Sequence, residues 1–336
     1  MKSSQLKVLL TGPFGNVGLS TLEELIKRNY DIRVFDIKNK KNRRIATKFK
    51  HQVEIIWGNL TNPKDVEKAV SGCDVIIHVA AIIPPLADRY PKLAHSVNVG
   101  GTLNIVKAIK NQPQKPKLIF TSSVAIYGDR LRNPLIRTDD PLNPNDDDEY
   151  AKQKVKCEEI IRNSGLEWVI CRLTYIVSLN KLQMDPLMFE MPLDTCIEIC
   201  DTKDVGLALA NAIECEEIWG ETIHIAGGER CRITYREYLN EMLEIFGIGN
   251  NFLPKEAFST KGFHCGFMTT DKSQSLLHYQ RHTIDDYFYD VRKKMAFTRF
   301  WTMMFRPFAK KYLLNKSLYY KEHINSIDSP KLSNNY

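Results

Sequence analysis

One junction limits the fold of this chain more than any other. The apolar stretch LKVLL, residues 6–10, runs straight into the octapeptide TGPFGNVG, Thr11–Gly18, and from there into a segment with helical spacing of apolar residues. LKVLL reads as a buried strand. In 16–29, Val17, Leu19, Leu22, Leu25 and Ile26 recur at the spacing of one helix face. A strand that turns through glycines into a helix is the first half of a βαβ unit. Gly12 permits the tight turn, Gly15 lets the backbone approach a pyrophosphate, and Gly18 allows close helix–sheet packing. The helix N-terminus offers amide donors and the positive end of its dipole to the same anion.

The chain then repeats the alternation. DIRVFDI is a second strand ending at Asp36, and Lys38–Lys50 reads as a basic, polar connection. HQVEIIWGNL contains a third strand, and PKDVEKAVSGC a helix that Pro63 can start. CDVIIHVAA is almost continuously apolar, the pattern of a parallel strand covered on both faces. A helix over 93–111, the strand KLIFTSSVAIYG, a helix over Tyr150–Asn163 and the strand EWVICRL complete the series. This predicts an α/β fold, a doubly wound parallel sheet of the Rossmann type. From about residue 173 the alternation weakens. The expected organisation is a dinucleotide-binding domain over 1–172, a smaller substrate region over 173–282 partly interleaved with it, and a basic amphipathic tail over 283–336.

Two further features carry chemistry. Asp36 ends the second strand 18 residues after Gly18, where a carboxylate can accept from adenosine ribose hydroxyls. That favours NAD, because a 2′-phosphate would meet a like charge. The run Lys38, Lys40, Lys41, Arg43, Arg44 leaves NADP open, although a solvated basic loop is its plainer reading. Tyr150 and Lys154, in DEYAKQK, stand four apart and so share a helix face. An ammonium beside a phenol favours the phenolate and lowers its pKa from about 10. A phenol tuned in that way can exchange a proton near neutral pH.

With these residues in view, the chain resembles the extended short-chain dehydrogenase/reductases of the NAD-dependent epimerase/dehydratase family over most of residues 6–230. TGPFGNVG matches the family's TGxxGxxG, HVAA at 78–81 its cofactor-side segment, Asn98 in NVGGT a family Asn, TSSVAIYG at 121–128 the strand of its catalytic Ser, and YAKQK its Tyr and Lys. The resemblance implies Tyr150 as general acid/base, Lys154 on the nicotinamide ribose, and Ser123 as hydrogen-bond partner of the reacting oxygen. It implies cofactor contacts at Gly12, Phe14, Gly15, Asn16, Val17, Gly18, Asp36, Asn59, Leu60, Ala80, Ala81 and Asn98, besides Tyr150 and Lys154. Asn59, in GNLTN, stands where the family usually has an adenine-contacting Asp, and its amide oxygen could still accept. Taken alone, Ser123 reads more readily as a strand-end cap and Tyr150 as a partly buried helix residue; beside the glycine turn and Asp36 the catalytic reading prevails.

Departures from the family pattern narrow the reaction. Val124 and Ala125 replace the Asp-Glu pair of sugar-nucleotide 4,6-dehydratases, so no acid for water loss is visible. CRLTYIVS lacks the Pro that epimerases carry after the Arg strand, and only 31 residues (173–203) separate Arg172 from Asp204. That stretch includes Leu182, Met184, Leu187, Met188, Phe189 and Met191, which serve as readily for core as for an apolar pocket. The expected activity is interconversion of a secondary alcohol and a ketone on a small or lipid-like substrate. A nucleotide-sugar epimerase with tightly bound NAD and a non-catalytic cofactor sensor are the alternatives.

Charge is uneven. Residues 291–321 carry nine Lys and Arg and no acid; of 47 basic and 40 acidic residues, 38 and 40 remain elsewhere, a balance of −2. Aromatic residues from Phe300 to Tyr312 interleave with those cations. Such a segment reads either as a surface element for anionic membranes or as a helix pair packed on the body with its basic face in water. No nucleic-acid motif accompanies the charge. No stretch has the 18 or more apolar residues of a membrane span. The eight scattered cysteines read as reduced, buried thiols of a cytoplasmic protein, and the unmatched Cys196–Cys200 pair predicts no metal site. The family resemblance implies a homodimer, which the sequence does not test.

Overall fold

The computed structural model describes residues 5–180, 182 and 186–328. Its first half realises the alternation read from the sequence. Strand β1 (Lys7–Thr11) leads through the glycine turn into α1 (Asn16–Ile26), followed by β2 (Asp31–Asp36), α2 (Lys40–Ala46), β3 (Glu54–Trp57), α3 (Pro63–Val70) and β4 (Val75–His78). Two short helices, α4 (Leu86–Arg89) and α5 (Pro91–His95), and a π-turn over Ser96–Gly100 feed α6 (Gly101–Lys110). Then come β5 (Lys117–Ser123), the short β6 (Leu135–Ile136), α7 (Glu149–Arg162) and β7 (Trp168–Leu173).

The second half is less regular. It contains β8 (Tyr175–Val177), β9 (Cys196–Asp201), α8 (Thr202–Asn211), β10 (Thr222–Ile225), β11 (Arg232–Thr234), α9 (Tyr235–Ile245), β12 (Phe267–Met268) and α10 (Asp271–Leu277). Three helices close the chain: α11 (Ile284–Met304), α12 (Arg306–Leu314) and α13 (Leu318–Asp328). Among the described residues, no helix is long and apolar enough to cross a membrane.

Seven strands form one sheet in the order β10-β7-β5-β4-β1-β2-β3, every pairing parallel. Successive strands step outward from β1 in one direction through β2 and β3, and in the other through β4. The order therefore reverses between β1 and β4, and in open α/β sheets the ligand crevice lies there, beyond the carboxyl ends of the strands. The period-two alternation of each strand divides its side chains between two cores. Val8, Leu10, Val34 and Ile77 pack on one face with Leu22 and Leu25 of α1 and Leu209 of α8. Leu9, Phe35, Ile76 and Phe120 pack on the other with Val66 of α3, Ile105 of α6 and Ile161 of α7.

Two elements from beyond residue 172 belong to this layer: α8 lies along α1, and β10 pairs with β7 at the edge. A third core joins β9 and α9 to the first turns of α11 and the end of α12, through Ile197, Tyr238, Leu243, Phe288, Val291 and Leu313. The closing segment is thus docked, with Tyr287, Phe288, Val291, Leu313 and Leu314 buried. The expected loop over Lys38–Lys50 instead contains a helix, capped by Asn39, whose side chain accepts from the Asn42 N–H at 2.8 Å. All eight cysteines are free and six are buried.

Candidate active site

The glycine turn sits at the carboxyl end of β1, and each glycine is used differently. Gly12 adopts φ +68°, and a Cβ there would come within 2.8 Å of the Ala80 Cα. A Cβ on Gly18 would fall 2.0 Å from the Gly12 carbonyl oxygen, so α1 can approach the turn only with hydrogen there. At Gly15 the nearest neighbour of a Cβ is the Gly12 oxygen at 3.5 Å, which leaves that side open. Gly15 caps α1 with no side-chain hydrogen bond, so the first helical amides face this opening without a side-chain partner. An open, glycine-walled helix N-terminus at the sheet's switch point suits a pyrophosphate.

Asp36 ends β2 beside the turn. Its Oδ1 accepts from the Ile37 N–H at 2.8 Å and from Asn42 Nδ2 at 3.0 Å. Among the described residues its Oδ2 receives only a long contact from the Phe14 N–H, at 3.4 Å, and so retains capacity for a ribose hydroxyl. Burial raises its pKa, with the Ile37 and Phe14 amides pulling the other way. Beyond it, Lys38, Lys40, Arg43 and Arg44 line a shallow basic groove. Asn59 is exposed, and its Oδ1 accepts from the Thr61 N–H at 3.0 Å, closing its own turn. Leu60 is buried, its side chain against Gly101 and its carbonyl accepting from Asn104 at 2.8 Å.

The opposite wall follows β4. Asn98, buried in the π-turn, clamps the segment after that strand. Its Oδ1 accepts from the Ile82 N–H at 2.8 Å, and its Nδ2 donates to the Ile82 carbonyl and to Gln153 of α7 at 2.8 Å. This holds Ala80 and Ala81, both half-buried, opposite the glycine turn. His78, which opens the HVAA segment but has no role of its own in the sequence reading, ties the two walls together. Thr102 donates its hydroxyl proton to the Asn98 carbonyl at 2.7 Å, so it accepts from His78 Nε2 at 3.2 Å. The other ring nitrogen, Nδ1, accepts from Thr11 at 2.8 Å, and Thr11 in turn accepts from the Ala80 N–H at 3.2 Å. Burial, reinforced by the nearby charge of Lys154, pushes the imidazole down to about 3. It is a neutral brace between β1, β4 and α6.

Ser123, at the end of β5, and Tyr150, in the first turn of α7, come together as hydrogen-bond partners. Ser123 Oγ also accepts from the Ala125 N–H at 3.2 Å. The strand-end capping role and the proximity to Tyr150 therefore coexist. Asp148 caps α7 by accepting from the Ala151 N–H at 2.8 Å, and its other oxygen meets His264 Nδ1 at 3.1 Å. Lys154 is buried one turn on. Its Nζ donates to the Thr121 carbonyl at 2.7 Å and lies 5.8 Å from the centroid of the Tyr150 ring. Burial lowers its pKa to about 8.

The sequence-based expectation that Lys154 lowers the Tyr150 pKa needs correction for the protein alone. Burial raises the phenol above its ordinary value, and the hydrogen bond from Ser123 offsets this only in part. The phenol is therefore protonated at neutral pH and poised to donate. A second buried network lies on the same side of the sheet. Arg172 grips Glu158 through two hydrogen bonds, at 3.0 and 2.8 Å, and donates to the Thr138 carbonyl at 2.9 Å. Tyr127 donates to His224 Nε2 at 2.6 Å.

Beyond Asn16 of the glycine turn opens a cavity of about 290 Å³ in the second half of the chain. Tyr175, Leu187, Met188, Met191, Tyr238 and Met242 are among its walls, and the described lining contains no Lys, Arg or His. Leu182 also lines it, whereas Phe189 belongs to the surrounding core and Met184 lies outside the described residues. Tyr235 donates to the Met188 carbonyl at 2.8 Å, holding that wall in place.

Comparison with known proteins adds the following. The model of the NAD dependent epimerase/dehydratase family matches residues 8–187. The chain is 30% identical over 181 residues to 3 beta-hydroxysteroid dehydrogenase type 7 of Mus musculus, covering 50% of this chain and 49% of that protein. It is 27% identical over 191 residues to UDP-glucose 4-epimerase of Pisum sativum, covering 52% and 53%. The match thus spans about half the length of these relatives. Among solved structures, a short-chain dehydrogenase/reductase superfamily protein from Agrobacterium tumefaciens with bound NAD superimposes with a TM-score of 0.70 at 18% identity, over 88% of this chain and 98% of that one. A dTDP-glucose 4,6-dehydratase from Streptomyces venezuelae with NAD bound gives 0.73 at 18% identity over the same shares. At such identities these structures speak to the fold.

Proposed function

The chain belongs to the NAD dependent epimerase/dehydratase family, and from that premise we propose that it is an NAD-dependent oxidoreductase interconverting a secondary alcohol and a ketone on a small, apolar or lipid-like substrate. The glycine turn and the first amides of α1 would hold the pyrophosphate, and Asp36 Oδ2 the adenosine ribose. Ala80 and Ala81, braced by Asn98 and His78, would form the opposite wall. Bound NAD supplies the hydride acceptor, or donor in the reverse direction.

The chain's own residues handle the proton. Tyr150 donates its phenolic proton to the carbonyl oxygen in reduction and takes it back in oxidation, with Ser123 Oγ as second hydrogen-bond partner of that oxygen. Lys154, anchored on the Thr121 carbonyl, has further N–H donors for a ribose hydroxyl. Within this reading, residues 173–282 supply most of the substrate region, with α8 and β10 returned to the dinucleotide-binding layer.

The observation that carries the substrate class is the cavity beside Asn16, walled by Leu, Met and Tyr with no cation in its described lining. A nucleotide diphosphate needs charge-assisted donors, which that wall does not provide. The test is a substrate screen with added NAD, followed by nicotinamide absorbance, across sterol-like and acyl secondary alcohols and nucleotide sugars. Stoichiometric reduction of NAD with an apolar alcohol is the expected result. Interconversion of nucleotide sugars without net absorbance change would favour the epimerase reading instead. Failure to bind either nicotinamide dinucleotide would overturn both.

A further inference from the structure

Helix α11 is built in two parts. Its first two turns bury Tyr287, Phe288 and Val291 in the third core, but from residue 296 to its end no residue is buried. There Phe297, Trp301 and Phe305 follow one another at four-residue spacing, Phe300 and Met304 run beside them, and Phe308 of α12 extends the stripe around the bend. These are large apolar side chains in water: Phe297 is 83% exposed, Phe308 74% and Phe300 63%.

The bend that presents them is fastened from beneath. Arg306 Nε donates to the Gly247 carbonyl at 2.7 Å, and Arg299 pairs with Glu244 at 3.1 Å. Gly247 has φ +81°, and a Cβ there would press within 2.8 Å of the Arg299 carbonyl and 2.9 Å of Met303 Cγ. The elbow is thus seated on the end of α9 with its aromatic face directed outward. A contiguous apolar patch of this kind marks an interaction surface.

Charge selects the occupant. Along the chain, Lys293 and Lys294 precede the patch and Lys310 and Lys311 follow it, and the segment 291–321 holds nine basic residues and no acidic one, against a balance of −2 elsewhere. A second copy docked face to face would set these cations against themselves. An anionic bilayer complements both the charge and the aromatic residues, which favour the interfacial zone of lipid. We propose that the α11–α12 elbow is a monotopic membrane-docking surface that inserts Phe297, Phe300, Trp301 and Phe308 into the interface of anionic lipid. This does not rest on the reading of the active site.

The test is sedimentation of the full chain with vesicles of phosphatidylcholine alone or with phosphatidylserine at about one third. Partition should be at least tenfold stronger onto the anionic vesicles and should weaken as salt is raised. Replacing Phe297, Phe300, Trp301 and Phe308 together by Ser should lower it at least tenfold, with an unchanged far-ultraviolet dichroism spectrum and urea midpoint as the check on folding. Should that variant fail to fold, Trp301 fluorescence decides: the vesicle-induced blue shift of the wild type should vanish in Trp301→Phe. Equal partition onto the two vesicle types, undiminished binding by the aromatic variant, or a blue shift that survives Trp301→Phe would overturn the proposal. So would a dimer that the aromatic substitutions dissociate, with no vesicle binding.

Discussion

Tyr150 is the residue on which the proposed chemistry turns, and removal of its hydroxyl tests it most directly. Positioned proton transfer contributes about 10²–10⁴ in rate. Tyr150→Phe should therefore lower kcat/KM for the oxidised alcohol by that factor while dinucleotide affinity stays within about threefold. Unchanged turnover would remove Tyr150 from the mechanism. Lys154 allows a second test that needs no substrate. Its pKa falls from 10.5 in the unfolded chain to about 8 in the fold, because burial disfavours its charge. Between those values the unfolded chain holds a proton that the folded chain lacks, so unfolding free energy rises with pH across that window. Below pH 8 the cost of burying the ammonium is fully present; above 10.5 it is gone. The difference in unfolding free energy between wild type and Lys154→Met should shift in favour of the wild type by roughly 3 kcal/mol from pH 7.5 to 10.5, measured by urea denaturation. A pH-independent difference would show that the ammonium keeps its ordinary pKa.

At the level of elements, the glycine turn separates folding from binding. In Gly18→Ala the new Cβ meets the backbone of Gly12 and Pro13, which cannot yield without moving the turn. A loss on the order of 2–3 kcal/mol is expected, together with loss of dinucleotide binding. Gly15 has φ −79°, which any residue tolerates, and its Cβ would meet only one atom at ordinary contact distance. Gly15→Ala should leave stability within about 1 kcal/mol yet weaken NAD at least tenfold, by calorimetry. Unchanged NAD affinity in Gly15→Ala would mean that the open side of Gly15 is not a ligand site. These elements were legible because strand, turn and helix lie within 20 residues of one another. The helix over 40–46 was not, since Ile45 and Ala46 are its only apolar residues and its Asn39 cap looks like loop chemistry. The bracing role of His78 was not legible, although it opens the HVAA segment, because its partners Thr11 and Thr102 are 67 and 24 residues away. The Tyr127–His224 contact spans 97 residues, and nothing near either residue announces the other.

Over the whole molecule, the closing helices serve two purposes with opposite faces, and a deletion cannot separate them. The outer face of the elbow is exposed, but Leu313 and Leu314 are buried in the third core and Ser317 donates to the Ala257 carbonyl at 2.6 Å. Burial of each leucine contributes about 1.5–3 kcal/mol, so removal of residues 296–336 should cost the third core several kcal/mol. Among the described residues, the two cores of the seven-stranded sheet draw none from the deleted segment. Hydrogen exchange should therefore show amides of α9 losing at least 10²-fold protection, while those of β1 and β4 keep theirs and NAD still binds. The cavity is walled from α9 by Tyr238, Leu239 and Met242, so turnover on apolar substrates should fall in the truncated chain even with the Ser123–Tyr150–Lys154 set intact. Uniform loss of protection across the sheet would instead mean that the three cores unfold as one unit, and that the dinucleotide cleft depends on the closing helices for its stability.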